Sequence, residues 1–72
     1  MKLEEGRKYR LRKRYASPMD ELEEGEILTL QAIRYSRYDC ATILAFLTEE
    51  GDTKQLFISD DDGFDQDGFE EV

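Results

Sequence analysis

Alternating polar and apolar positions mark the first element of the chain. From Lys8 to Tyr15 every even position is Lys or Arg, whereas the odd positions carry Tyr9, Leu11, Lys13 and Tyr15. A repeat of two with aromatic residues on one side is typical of a strand with one buried face. The pattern therefore predicts a first strand over these eight residues.

The acidic segment that follows has the punctuation of a short helix. Ser17 suits the N-cap, Pro18 the first helical position and Gly25 the position after the end. Met19 and Leu22, three residues apart, would then face the body of the protein. We expect one or two helical turns here, with an irregular acidic loop as the alternative, because so short a helix is marginal on its own.

The middle of the chain predicts three strands joined by short turns. Residues 26–35 and 41–48 alternate with apolar side chains on both faces, as in strands covered on two sides, and residues 54–59 form a third apolar run. Residues 36–39 and 49–52 have the composition of turns. We expect these three strands to be successive antiparallel neighbours.

Four or five short strands in 72 residues favour a mainly β fold, a small antiparallel barrel with a short helical turn after the first strand. Closing the sheet would also hide edges that an open sheet exposes. The fifth strand would come from Phe69 to Val72, or from a turn and strand near Phe64.

Three stretches resemble small bacterial SH3-like barrels. They are Gly6 to Leu11, Glu24 to Leu30 and Leu56 to Ile58, and they are similar to the strand and turn signature of an uncharacterised family of short bacterial proteins. Members of that family open with a Gly-x-x-Tyr strand and resume at a Gly-Glu turn. The resemblance covers roughly Gly6 to Ser59 and implies an SH3-like barrel with a non-enzymatic role. It assigns no site residues.

Length and composition indicate one small domain over residues 1–72 with an acidic C-terminal segment over residues 60–72. A domain of this size buries only about 60% of the surface of its unfolded chain, which leaves little room for a deep cleft. The single cysteine, Cys40, cannot form an internal disulfide, which favours a reducing compartment. The first residues lack the apolar stretch of a signal peptide, and no stretch has the length of a membrane span. We expect a cytoplasmic protein that does not enter a membrane.

Charge is distributed unevenly along the sequence. The net formal charge is −8, yet the first fifteen residues carry seven bases and two acids, and the rest carry three bases and sixteen acids. The two parts therefore have net charges of +5 and −13. Either the two parts neutralise each other in the fold, or one of them binds a charged partner. In the first case Arg10, Arg12 and Arg14 would pair with acids of residues 20–26 or of the C-terminal segment.

The sequence offers little for catalysis. It contains no histidine, and a thiolate at Cys40 would be disfavoured by the adjacent Asp39, so we expect Cys40 to be buried or half-buried filler. A structural zinc site needs pairs of Cys and His ligands, which this sequence lacks. The acidic C-terminal segment contains Asp-Gly-Phe twice, but neither glycine places acids at the first and last ligand positions of an EF-hand loop. We expect neither an enzyme nor a bound metal or other cofactor, and Phe64 and Phe69 would pack back on the barrel.

Excess acid makes binding to a basic protein surface the leading functional hypothesis. Acidic loops and tail would occupy cationic sites of a partner, in the sharper version as a nucleic-acid mimic or inhibitor. The protein itself would be a monomer or a weak dimer. The predicted partner-binding residues are Asp20, Glu21, Glu23, Glu24, Asp60, Asp61, Asp62, Asp65 and Asp67.

Nucleic-acid binding is the alternative hypothesis. Cationic side chains interleaved with tyrosines can neutralise phosphates and stack on bases, and small barrels bind nucleic acid on such faces. The strong overall acidity opposes it. The residues predicted for this function are Arg10, Arg12, Arg14, Arg34, Tyr35, Arg37 and Tyr38.

Overall fold

The computed structural model describes residues 3–61 and 66–72, and the fold in them is mainly antiparallel β. A single turn of 3-10 helix at Gln66–Gly68 is the helical element of these residues. The strands are β1 (Lys8–Leu11), β2 (Tyr15–Ala16), β3 (Glu21–Leu22), β4 (Ile27–Ser36), β5 (Ala41–Thr48), β6 (Thr53–Ser59) and β7 (Phe69–Glu71).

Five strands form one sheet in the order β6-β5-β4-β1-β7, and β2 and β3 form a separate hairpin. The predicted succession of three antiparallel strands is confirmed as the meander of β4, β5 and β6. A strand near the C-terminus was one of the two predicted sources of a further strand. It is present as β7, which pairs antiparallel with β1.

The predicted first strand is shorter than its sequence pattern. β1 ends at Leu11, and a bend at Arg12 and Lys13 separates it from β2. Tyr9 and Leu11 are buried, so an unbroken strand would have turned Lys13 towards the core next. The bend instead leaves Lys13 exposed, with its Nζ 5.3 Å from the centre of the Tyr15 ring.

The predicted helix after the first strand is wrong, because this segment folds as the β2–β3 hairpin. Tyr15 pairs with Leu22, which is fully buried as expected, whereas Met19 is 53% exposed. Ser17 does act as a cap, but of a tight turn: its Oγ accepts hydrogen bonds from the backbone N–H of Met19 (3.3 Å) and Asp20 (3.4 Å). A serine hydroxyl can accept hydrogen bonds from nearby backbone N–H groups in turns as well as at helix N-termini. The same residue is therefore compatible with either structure.

The pairing of β4 with β5 contains a bulge. Leu30 lies opposite Phe46 and Ala32 opposite Ala45, so Gln31 is an extra residue in β4. The alternation of β4 therefore changes face at Gln31. This explains why the sequence of β4 looked apolar on both sides.

The inner face of the sheet carries the core. Directly opposed residues of antiparallel strands share a face, and the buried rows include Leu30 with Phe46 and Leu44 with Leu56. The predicted packing of Phe69 on the core is confirmed, whereas Phe64 lies outside the described residues. The core cluster consists of Leu3, Tyr9, Leu11, Leu22, Leu28, Leu30, Leu44, Phe46, Leu56, Ile58 and Phe69.

The two sheet edges, β6 and β7, are not joined by a backbone ladder in the part of the chain that the structure describes. The β2–β3 hairpin lies between them. Asp20 Oδ2 accepts the backbone N–H of Gln55 in β6 (2.8 Å), Ser17 Oγ lies 3.3 Å from the carbonyl oxygen of Gln55, and the Tyr15 ring stacks on Phe69 of β7 at 4.9 Å. The sheet is thus open, with side chains of the hairpin at its edges, and it lacks the closed ladder of the predicted barrel.

Candidate interaction surfaces

The basic side chains of β1 and the following bend face the carboxylate of Glu70. Arg10 Nη1 lies 3.3 Å from Glu70 Oε1, and Arg12 Nη2 lies 2.9 Å from Glu70 Oε2. The register of β1 and β7 places Arg10 directly opposite Glu70. The expectation that C-terminal acids cover the basic strand is confirmed for these two arginines.

Arg14 is covered by the β2–β3 hairpin. Its Nη2 lies 2.8 Å from Glu21 Oε2, and its Nε lies 3.5 Å from Glu23 Oε1. The hydrogen bond to Glu21 and the charges of both carboxylates raise the pKa of Arg14, which stays a cation. Exposed ion pairs of this kind add little to stability, so their main effect is to neutralise the basic surface.

The tyrosines of the basic segment pack with the core. Tyr9 is 4% exposed and meets Phe69 edge to face with ring centres 6.3 Å apart. Tyr15 stacks on the same Phe69. Tyr9 is therefore inaccessible to a nucleotide base, and Phe69 covers one face of the half-buried Tyr15 ring. The three arginines and two tyrosines of this segment are therefore all engaged within the fold.

The other residues predicted for nucleic acid lie near the end of β4 and in the turn that follows it. This region is here called the hairpin tip and defined as Arg34, Tyr35, Arg37 and Tyr38. Tyr38 is fully exposed, and Tyr35 is 57% exposed. Within residues 3–61 and 66–72, neither arginine of the tip forms an ion pair. The tip is the part of the predicted nucleic-acid set that the fold leaves accessible.

Two acidic residues also lie at the hairpin tip. The hydroxyl of Tyr35 donates a 2.7 Å hydrogen bond to Asp60, and this bond raises the pKa of Tyr35. Asp39 accepts a hydrogen bond from the hydroxyl of Ser36 at 3.0 Å. The charge around the two tip arginines is therefore mixed rather than strongly positive.

Cys40 contradicts the sequence-based expectation that it fills space in the core. It is exposed, has a φ of 47° and ends the turn that leads into β5. Its Sγ contacts the carbonyl oxygen of Arg37 at 3.6 Å. A residue in a turn beyond the end of the sheet has no layer above it, which is why an apolar side chain there stays exposed.

The predicted acidic binding residues do not gather into one site. Asp20 is tied to the backbone of β6, Glu21 and Glu23 are tied to Arg14, and Asp60 is tied to Tyr35. These four therefore act within the fold. The exposed acids of the predicted set also include Glu24, Asp61 and Asp67, while Asp62 and Asp65 lie outside the described residues.

A different group of acids meets at one end of the sheet. The pairing of Leu28 with Thr48 brings the β3–β4 turn next to the β5–β6 turn. We call this the acidic end; it consists of Glu24, Glu49, Glu50 and Asp52, all exposed and none in an ion pair within residues 3–61 and 66–72.

The nearby cation Lys54 is already paired with an acid of the same chain. Its Nζ lies 3.0 Å from Glu26 Oε2 and also donates to the carbonyl oxygen of Glu21. The sequence did not indicate the acidic end, because residues 49–52 have the composition of an ordinary loop. The pairing of β4 with β5, rather than any spacing in the sequence, joins that loop to Glu24.

Within the described parts of the chain, no three His, Cys, Asp or Glu side chains are placed to hold a metal ion. Nor do these residues form a helix long and apolar enough to cross a membrane. The comparisons with known proteins were also empty: no family model, no curated protein and no solved structure matches this chain. The resemblance to small bacterial SH3-like barrels stays a prediction.

Proposed function

We propose that this protein is a non-enzymatic interaction module whose acidic end binds a basic surface of another protein. One observation carries the proposal: among the described residues, six glutamates pair with cations of the same chain, yet four exposed carboxylates stand together on two adjacent turns. Of the acids predicted from the sequence, Glu24 belongs to this surface, and Glu49, Glu50 and Asp52 are added to it.

The proposed contact works through charge. Carboxylates on two turns present negative charge at one end of the molecule, which attracts Lys and Arg side chains and speeds their encounter with it. A protein that normally binds nucleic-acid phosphates would offer such a surface, in which case the module acts as a mimic and inhibitor. Because exposed charges are screened by salt, binding should weaken steeply between about 0.15 M and about 0.5 M salt.

A matched pair of variants tests the proposal. Glu49→Gln with Glu50→Gln removes two charges from the acidic end, and Glu4→Gln with Asp61→Asn removes two charges elsewhere, so both proteins keep the same net charge. Each is immobilised, exposed to nuclease-treated extract of the source cell, and the bound proteins are quantified at low and high salt.

We expect the first variant to lose at least about tenfold of the binding of a specific partner and the control to lose less than about twofold. Equal losses in the two variants would mean that only net charge matters. A partner that stayed bound at about 0.5 M salt would contradict a charge-based contact.

We also propose that the sheet belongs to the class of small SH3-like barrels, with the β2–β3 hairpin standing where a closed ladder would join β6 to β7. The support is the position of the hairpin between these two edges and its hydrogen bonds to Gln55. Such barrels are common carriers of binding surfaces on their loops, which fits an interaction role but does not fix the partner.

Nucleic-acid binding by the hairpin tip is the second candidate. The exposed ring of Tyr38 and the exposed guanidinium groups of Arg34 and Arg37 favour it. A gel shift with single-stranded DNA at low salt tests it: Arg34→Glu with Arg37→Glu should abolish the shift, and Arg10→Ala with Arg12→Ala should preserve it. No shift by the unaltered protein would end this candidate.

A further inference from the structure

The outer face of the β4–β5–β6 meander is nearly free of charge. We define this outer face by its four rows across the strands: Thr29, Leu47 and Thr53; Ala32, Ala45 and Gln55; Arg34, Ile43 and Phe57; and Ser36, Ala41 and Ser59. Ala41 is fully buried, and the other eleven positions are half-buried or exposed. Charged residues make up 39% of the chain, so twelve positions would carry about four or five of them. The outer face carries one, Arg34.

Apolar side chains occupy the centre of this face. Ile43 and Leu47 of β5 and Phe57 of β6 are each only half-buried. The solvated face of an antiparallel sheet usually carries polar and charged side chains. Half-buried apolar side chains at the centre of an almost uncharged face, in so highly charged a chain, are typical of a surface that another protein layer covers.

Two arginines lie near one end of the outer face, and two glutamates lie beyond the other end. Arg34 lies in the row next to the one nearest the hairpin tip turn, and Arg37 lies in that turn. At the other end, the row of Leu47 is followed closely by Glu49 and Glu50 of the acidic end. Asp39 and Asp60 also lie at the hairpin tip, so the charge there is mixed, and Arg34 and Arg37 are the cations that it offers to an acidic surface.

We propose that the outer face is the interface of a symmetric homodimer, in which two copies pack sheet against sheet. A two-fold axis that lies between the sheets, perpendicular to the strands, sets the hairpin tip of each copy over the acidic end of the other. A two-fold axis parallel to the strands would instead set Arg34 over its own counterpart and Glu49 over Glu49. The first arrangement is favoured because it sets Arg34 and Arg37 of each copy against glutamates of the other, whereas the second opposes like charges.

The small contact area of the outer face makes this dimer weak. Strand spacing and rise give twelve positions a footprint of roughly 400 Å², about half of the roughly 800 Å² per partner found in stable complexes. The net charge of −8 on each copy also opposes association. At about 0.15 M salt that long-range repulsion is largely screened beyond about 8 Å, while groups in contact at the two ends still attract.

The dimer rests in part on the proposed function, because it would use the same carboxylates as the proposed partner contact, and a basic partner would compete with the second copy. The proposed dimer and the proposed partner contact can nevertheless be refuted independently. Self-association is a property of the purified protein, whereas partner binding is measured on the immobilised protein with extract.

Sedimentation equilibrium of two complementary variants tests the dimer in about 0.15 M salt. One variant carries Arg34→Glu and Arg37→Glu, and the other carries Glu49→Lys and Glu50→Lys. Each change is on an exposed side chain, and circular dichroism checks that both variants fold. Because the two-fold symmetry places each change at both ends of the dimer, either variant alone should dimerise at least about tenfold more weakly than the unaltered protein.

Mixing the two variants is the decisive step. In a heterodimer, one end pairs the acidic side chains introduced in the first protein with the lysines introduced in the second, and the other end keeps its original Arg and Glu. Both ends are then attractive, so dimerisation should return. Phe57→Thr, which leaves all charges in place, should weaken dimerisation about tenfold by removing apolar contact area.

Three results would overturn the proposal. The unaltered protein could stay monomeric at the highest concentration reached. The mixture of variants could remain as weak as either one alone, which would exclude tip-to-acidic-end pairing. Assemblies could instead grow steadily beyond two copies, which would indicate an open head-to-tail contact rather than a closed two-fold one.

Discussion

Phe69 connects the C-terminal strand to the core, and replacing it with alanine gives the sharpest test of the fold. It exposes only 8% of its surface, although it lies in the short edge strand β7. Its ring stacks on Phe46 with centres 5.7 Å apart and on Tyr15 at 4.9 Å, and it meets Tyr9 edge to face. Three elements other than its own therefore depend on this one side chain.

The expected cost follows from these contacts. Core Phe→Ala substitutions cost about 3 to 5 kcal/mol, and an edge strand relaxes more easily than a central one, so we expect about 3 kcal/mol at Phe69. A domain of this length has a free energy of unfolding of roughly 4 to 11 kcal/mol. The variant should thus fold only marginally, with a Tm lower by about 12 to 24 °C.

Urea unfolding followed by circular dichroism and tyrosine fluorescence measures this cost, since the chain has four tyrosines and no tryptophan. Phe69→Leu should cost only about 1 kcal/mol because most of the apolar volume remains. Glu71→Ala, on the same strand but exposed, should change stability by less than about 0.5 kcal/mol. A cost below about 1 kcal/mol for Phe69→Ala would refute the packing of β7 against the core.

The remaining predictions concern polar and turn positions. Asp20→Ala should cost about 1 to 2 kcal/mol in urea unfolding, because the N–H of Gln55 loses its acceptor, whereas Asp61→Ala should be nearly neutral; equal effects would deny Asp20 a structural role. Asp60→Asn should lower the pKa of Tyr35 towards its usual value near 10, as read from tyrosinate absorbance, and an unchanged titration would contradict the hydrogen bond. Because folding raises this pKa, the bond's contribution to stability is complete below pH about 10 and is lost as the pH rises through the folded-state pKa. Gly68→Ala should destabilise the fold and alter the near-ultraviolet tyrosine signal, because the new Cβ would overlap the hydroxyl of Tyr15, and an unperturbed signal would exclude that contact.

Local pattern predicted the meander because its strands are long and their turns are short. The predicted bounds of β4, β5 and β6 lie within one residue of the observed ones, since alternation and turn residues act over neighbouring positions. The segment at Ser17 differs from the predicted helix because a serine side chain can cap a helix or close a hairpin, and only the pairing of Tyr15 with Leu22 decides between them.

Long-range pairing also decided the candidate sites. No spacing in the sequence indicates that Glu70 lies across from Arg10, or that residues 49–52 lie beside Glu24. The sequence shows that acids and bases are segregated. This segregation is compatible with internal pairing and with partner binding. Which acid faces which base depends on strand register, which is set by burial of residues such as Phe69.

Core packing and surface charge are therefore coupled at the C-terminal strand. The carboxylate of Glu70 reaches Arg10 and Arg12 only while Phe69, the preceding residue, is anchored among the aromatic rings of the core. If β7 detached, those arginines would become free cations beside an otherwise acidic molecule, and the surface of β1 would change from neutral to basic. The short C-terminal strand thus determines which sign of charge this part of the protein presents to a partner, and its attachment rests on apolar contacts that salt does not weaken.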